Sequence, residues 1–240
     1  MRLRQMTAVA AVALGMAITA PAALSQAAPV CEETQFGSKT GQKYLDAETL
    51  LFGIEGKQQP NPQAALAAIA ALKATNLNCY EVGAVTSLSA AANVQLKNYG
   101  AAVQDLESLI SLGVLKGEAK TKTYYQIAQI YLQENNLRKA ADYMQKWLAD
   151  GAKPTKQQYM QLATLYNQLG DNNQAVKYLE DLLRVYPNPD KQTIDFIVYL
   201  YNQTGQKAKL ANFLSNTVIP RFPQDKKYWE VMASLYYEAE

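Results

Sequence analysis

Four tyrosines returning at one interval constrain this chain more than any other feature: Tyr131, Tyr166, Tyr201 and Tyr236 stand 35 residues apart. Neighbouring positions keep the same step. Tyr124, Tyr159, Ile194 and Trp229 lie seven residues before each tyrosine, and Ala128, Ala163, Val198 and Ala233 lie three before. In the second half of each period Ala140, Ala175 and Leu210 recur, followed by Met144, Leu179 and Leu214. A period of this length holds two helix-sized segments. Within the first, the apolar positions share one face, and the small residue lets the second helix approach closely. Each pair then keeps an apolar flank that only the next pair can cover, so copies must stack. The expected class is all-α, a solenoid of antiparallel helix pairs.

Read in order, residues 1–27 have the form of a secretory signal: Arg2 and Arg4, an apolar run from Ala8 to Ala20, and a small-residue site at Ser25-Gln26-Ala27. Cleavage is expected after Ala27. The run is too short for a membrane helix and Pro21 interrupts it. Residues 28–40 form a polar lead, and residues 41–120 read as two degenerate hairpins. The first joins Gln42 to Glu55 with Gln63 to Ala74 across Pro60-Asn61-Pro62; the second joins Tyr80 to Lys97 with Tyr99 to Leu112. Regular units follow at 121–155, 156–190 and 191–225, with a partial one at 226–240. That last stretch supplies a first helix, with Trp229, Met232, Ala233 and Tyr236, and no second. Its apolar face is expected to stay open unless a continued solenoid, a partner or a second copy covers it.

The units at Tyr124-x2-Ile127-Ala128-x2-Tyr131 with Ala140-x3-Met144, and at Tyr159-x2-Leu162-Ala163-x2-Tyr166 with Gly170-Asp171, Ala175-x3-Leu179 and Pro187, resemble the tetratricopeptide repeat family. Val198 and Leu210 stand where that family prefers smaller residues. The resemblance implies a right-handed superhelix whose concave surface binds protein segments. Carried over position by position, it places Lys122, Tyr125, Gln129, Leu132 and Gln133 of one unit on that surface. The next units contribute Gln157, Met160, Thr164, Asn167 and Gln168, then Gln192, Asp195, Tyr199, Asn202 and Gln203. Amides outnumber charges in this set, and the Lys/Asn/Arg clamp for a C-terminal carboxylate is not among them. Carboxamides can pair with both N–H and C=O of a bound chain, while Tyr125, Met160 and Tyr199 offer apolar anchors.

Composition excludes much chemistry. The chain has no histidine, which removes His-based acid–base catalysis, His metal ligation and Ser-His-Asp arrangements. No glycine pattern suits a phosphate or dinucleotide, and acidic pairs such as Glu180-Asp181 read as solvated helix faces. An enzyme is therefore not expected, nor is a metal or cofactor. Beyond residue 27, Lys plus Arg and Asp plus Glu number 21 each. With no basic block, neither nucleic acid nor an anionic membrane is an expected partner, and the mature chain is not expected to insert in one. The two cysteines, Cys31 and Cys79, are expected to pair in an oxidising compartment, the alternative being two free thiols.

The Val30-Cys31-Glu32 start, the approach from Gly37 to Tyr44 and the stretch from Phe222 to Trp229 are similar to exported tetratricopeptide proteins that accompany TonB, ExbB and ExbD in Gram-negative bacteria. That resemblance implies a periplasmic accessory of outer-membrane uptake. A general adaptor for envelope or outer-membrane-protein assembly is the alternative.

Overall fold

The helices are set by their ends. Asn61 accepts a hydrogen bond from the Ala64 amide ahead of Pro62, Thr155 and Gln158 form a reciprocal capping box, and Asp171 and Asp190 cap the helices that follow them. The computed structural model describes residue 31 and residues 34–115 and 117–237. The signal reading at residues 1–27, with Val30 and Glu32, lies outside the described residues.

Among the described residues the regular elements are helices, arranged as consecutive pairs. They are α1 (Ser38–Phe52) with α2 (Pro62–Lys73), α3 (Cys79–Gln95) with α4 (Tyr99–Ser111), and α5 (Glu118–Gln133) with α6 (Leu137–Ala149). Then come α7 (Lys156–Gln168) with α8 (Asn172–Val185), and α9 (Lys191–Gln203) with α10 (Lys207–Phe213). α10 runs on through a π-helical turn (Leu214–Val218) into α11 (Ile219–Arg221), and α12 (Lys226–Tyr237) follows. Pro220 accounts for the wide turn: it has no N–H to donate, and its ring crowds the carbonyl four residues back. The fold is the expected helical solenoid.

From α5 to α10 the small and aliphatic residues that repeat are buried. Ala128, Ala163, Ala140, Ala175 and Leu210 are fully buried, and Val198, Met144, Leu179 and Leu214 nearly or wholly so. Three of the four repeated tyrosines meet an aromatic ring twelve residues on: Tyr131 with Tyr143 (centroids 5.6 Å apart), Tyr166 with Tyr178 (5.4 Å) and Tyr201 with Phe213 (6.2 Å). The second helix of one unit also reaches the tyrosine of the next. Gln145 Nε2 donates to the Tyr166 hydroxyl at 2.7 Å, and the Tyr201 hydroxyl donates to Glu180 at 3.1 Å. Burial pushes the Tyr201 hydroxyl pKa up, and the Glu180 charge adds to the effect.

A ladder of cations on anions ties the start of each first helix to the segment that follows its own second helix: Lys120 to Asp150 (2.8 Å), Lys156 to Asp190 (2.6 Å) and Lys191 to Asp225 (2.5 Å). At the amino-terminal side, Cys31 and Cys79 are joined in a disulfide, which excludes the free-thiol alternative. Glu81 reinforces this clasp. Its carboxylate accepts the Asn78 amide at 2.9 Å and the Gly37 amide at 3.0 Å, which hold its pKa low against the opposing effect of burial. One core cluster runs from Ala90 to Met232, and a second joins α1, α2 and the other side of α3.

Candidate protein-binding surface

The first helix of each pair carries the expected surface. On α5, Lys122 is exposed, its Nζ 3.4 Å from an equally open Glu118, and Gln133 is exposed at the carboxyl end. Tyr125 is half-buried, with its ring 4.9 Å from Trp147, and its hydroxyl donates to Gln161 Oε1 at 2.8 Å. Gln129 and Gln161 exchange amide hydrogen bonds at 3.3 and 3.2 Å. These three side chains bridge α5 and α7 in a single network. Such side-chain networks rigidify a surface because each group orients the next.

The residues expected on α7 and α9 are placed differently from one another. Met160 and Asn167 are half-buried, and Asn167 donates to Asn172 at 2.7 Å. Thr164 is exposed but turned onto its own helix, donating to the Met160 carbonyl at 2.8 Å, while Gln168 faces solvent. Asp195 is not a free anion: it accepts Lys227 Nζ at 2.8 Å and the Tyr228 hydroxyl at 3.0 Å. Burial works against its carboxylate, yet those two donors hold its pKa below the usual range. Tyr199 is 47% exposed and stacks on Phe196, with centroids 6.3 Å apart and planes 15° from parallel. Asn202 and Gln203 are exposed near it on α9, as is Gln192 at the other end of the helix.

Lys122, Tyr125, Gln129 and Gln133 border one cavity, between α3 and α5, of about 730 Å³. The α3 wall of that cavity was missed from sequence, as was Gln161. A signal for Gln161 existed: Gln126, Gln161 and Phe196 keep the 35-residue step and flank the expected positions. On α12 the fully buried aromatic is Tyr228, while Trp229 is 50% exposed and Tyr236 69% exposed. Met232 is buried and Ala233 is exposed. Among the described residues no group of three or more His, Cys, Asp or Glu side chains is placed to hold a metal ion. No described helix is long and apolar enough to cross a membrane.

These features define a solenoid of antiparallel helix pairs, and two of its units are similar to a known repeat family. Residues 121–148 and 159–189 each match a family model described as tetratricopeptide repeat. Among solved structures, a tetratricopeptide repeat protein from Parabacteroides merdae superposes with a TM-score of 0.54 at 17% identity, over 84% of this chain and 73% of its own. The crystal structure of MamA protein gives a TM-score of 0.53 at 15% identity, over 80% of this chain and 97% of its own. At such identities the likeness is one of fold. No curated protein matches the chain.

Proposed function

We propose that this chain is a periplasmic scaffold that grips a segment of another protein along its first-helix surface, and that the partner belongs to a TonB-dependent outer-membrane uptake system. The observation that carries the binding reading is the Tyr199–Phe196 pair: a large aromatic left 47% exposed on a rigid helix. Exposed aromatics backed by packed neighbours are the usual anchors of interfaces, since they bury much area for little loss of side-chain freedom. The amides around them can pair with a bound backbone without a charge to desolvate. Export is supported by the signal-like residues 1–27 and by the Cys31–Cys79 bridge, because such bridges persist in oxidising compartments. The TonB connection is supported by the resemblance of the Gly37–Tyr44 and Phe222–Trp229 stretches.

The test is a photo-crosslinkable residue in place of Tyr199 in the native cell. Crosslinks to TonB, ExbB, ExbD or a transporter segment are expected, and replacing Tyr125, Asn167 and Tyr199 together with alanine abolishes partner capture while the helical circular dichroism is kept. Crosslinks to outer-membrane-protein assembly machinery or cell-wall enzymes instead would select the general envelope adaptor. Undiminished capture by the triple variant would place the site elsewhere.

A further inference from the structure

The cavity between α3 and α5 has a floor and a rim of different chemistry. Ala90, Leu106 and Leu109 lie buried in its floor, with Ala91, Val94 and Leu115 half-buried around them. Ser87 and Gln95 border it from α3; Gln126, Gln129 and Gln133 border it from α5. Among the described residues that line it, Lys122 carries the one charge. The α5 wall runs from Ala119 to Gln133, about 21 Å, or nearly four helical turns.

We infer that this trough receives an amphipathic α-helix of the partner protein, lying antiparallel to α3 and α5. The inference rests on the binding function proposed above and names the form of the occupant. An extended segment over the floor would leave its N–H and C=O groups facing alanine, valine and leucine, with Gln129 already engaged by Gln161. Unpaired backbone groups over an apolar surface are costly, whereas a helix satisfies its own. A strand also turns every second side chain away from the floor, while a helix lays down a continuous apolar stripe. Charge sets the direction. Lys122 and the amino end of α5 lie at one end of the trough, and Gln95 and Gln133 mark the carboxyl ends of α3 and α5 at the other. The amino end of an incoming helix is drawn to those carboxyl ends, and its carboxyl end to Lys122. Glu118 shares Lys122 only weakly, both side chains being largely in solvent.

The probe is a fluorescent, N-acetylated peptide of about three to four turns, with leucine along one face, glutamine and alanine elsewhere, and glutamate in the last turn. Its control has the same leucines and two central prolines, which break the helix. The full chain should bind the helical peptide at least tenfold more tightly than the control. Ala91→Phe, which fills the trough, should weaken binding at least tenfold. Lys122→Glu should reverse the preference toward a peptide with lysine in its last turn. If Ala91→Phe loses its helical signal, Ser87→Phe, at an exposed position, makes the same test. No binding by the helical peptide, equal binding of the two peptides, or an unchanged affinity in the filled variants overturns the inference. If the inference fails while the Tyr125, Asn167, Tyr199 triple variant still loses partner capture, the scaffold function stands and only the helical occupant falls. If the triple variant also keeps its partner, both fall.

Discussion

Lys97, Asn135, Gly170 and Gly205 occupy the same turn position in successive pairs, and all four have left-handed backbones, with φ of 60°, 55°, 80° and 64°. The later units meet the requirement with glycine, which has no Cβ to crowd the following carbonyl; the earlier ones hold a side chain there against that cost. Lys97→Gly should therefore raise stability by roughly 0.5–1 kcal/mol, the relief of strain exceeding the added freedom of the unfolded chain. Urea denaturation of the two proteins reads this directly. Recurrence made some residues legible and left others dark. Ala128 and Ala163 stood out because a small side chain returned in register with the tyrosines. Gln161 recurred too, but an amide serves equally well in solvent, and only its placement against Tyr125 and Gln129 distinguishes it. Asp195 carried the right offset for an open groove, yet Lys227 and Tyr228, 32 and 33 residues further on, claim its carboxylate.

Between elements, the Lys–Asp ladder was invisible in the sequence because its partners lie 30 to 34 residues apart and look like ordinary surface charges. Hydrogen bonds from Lys120 and Lys156 hold the Asp150 and Asp190 carboxyls below the usual range. A carboxyl lowered on folding binds fewer protons in the native state, so its contribution is present above about pH 4 and is lost as pH falls below that. The thermal midpoint should drop between about pH 4 and pH 2, and Asp190→Asn should shallow that drop. Salt should shrink the difference, since both partners in the Lys156–Asp190 pair are more than a third exposed. The clasp on α3 is of another kind. The Cys31–Cys79 bridge spans 48 residues, which encloses α1 and α2. Reducing it should cost roughly 3–4 kcal/mol on the chain-entropy account. Denaturant midpoints with and without reductant measure it, and amide exchange should locate the loss in α1–α3 while α5–α8 stay protected.

Across the whole molecule each pair packs mainly on its neighbours, so protection should vary along the stack rather than appear as one step. Native-state hydrogen exchange is expected to be slowest in α5–α8, covered on both sides, and fastest in α12, where Trp229 and Tyr236 stand largely in solvent. Uniform protection from α1 to α12 would contradict a stack coupled by nearest neighbours. The overall architecture was readable from the period alone because a solenoid is one local solution repeated. The trough between α3 and α5 was not, because its α3 wall lies in the degenerate pair, where the tyrosine register is lost. The tyrosine contacts made by Gln145 and Glu180 each cross a single boundary and none spans two. Pulled by its ends, such a chain would yield boundary by boundary, lengthening in a staircase of small extensions and recoiling when released, so that a tethered partner would feel a soft spring in place of a stiff rod.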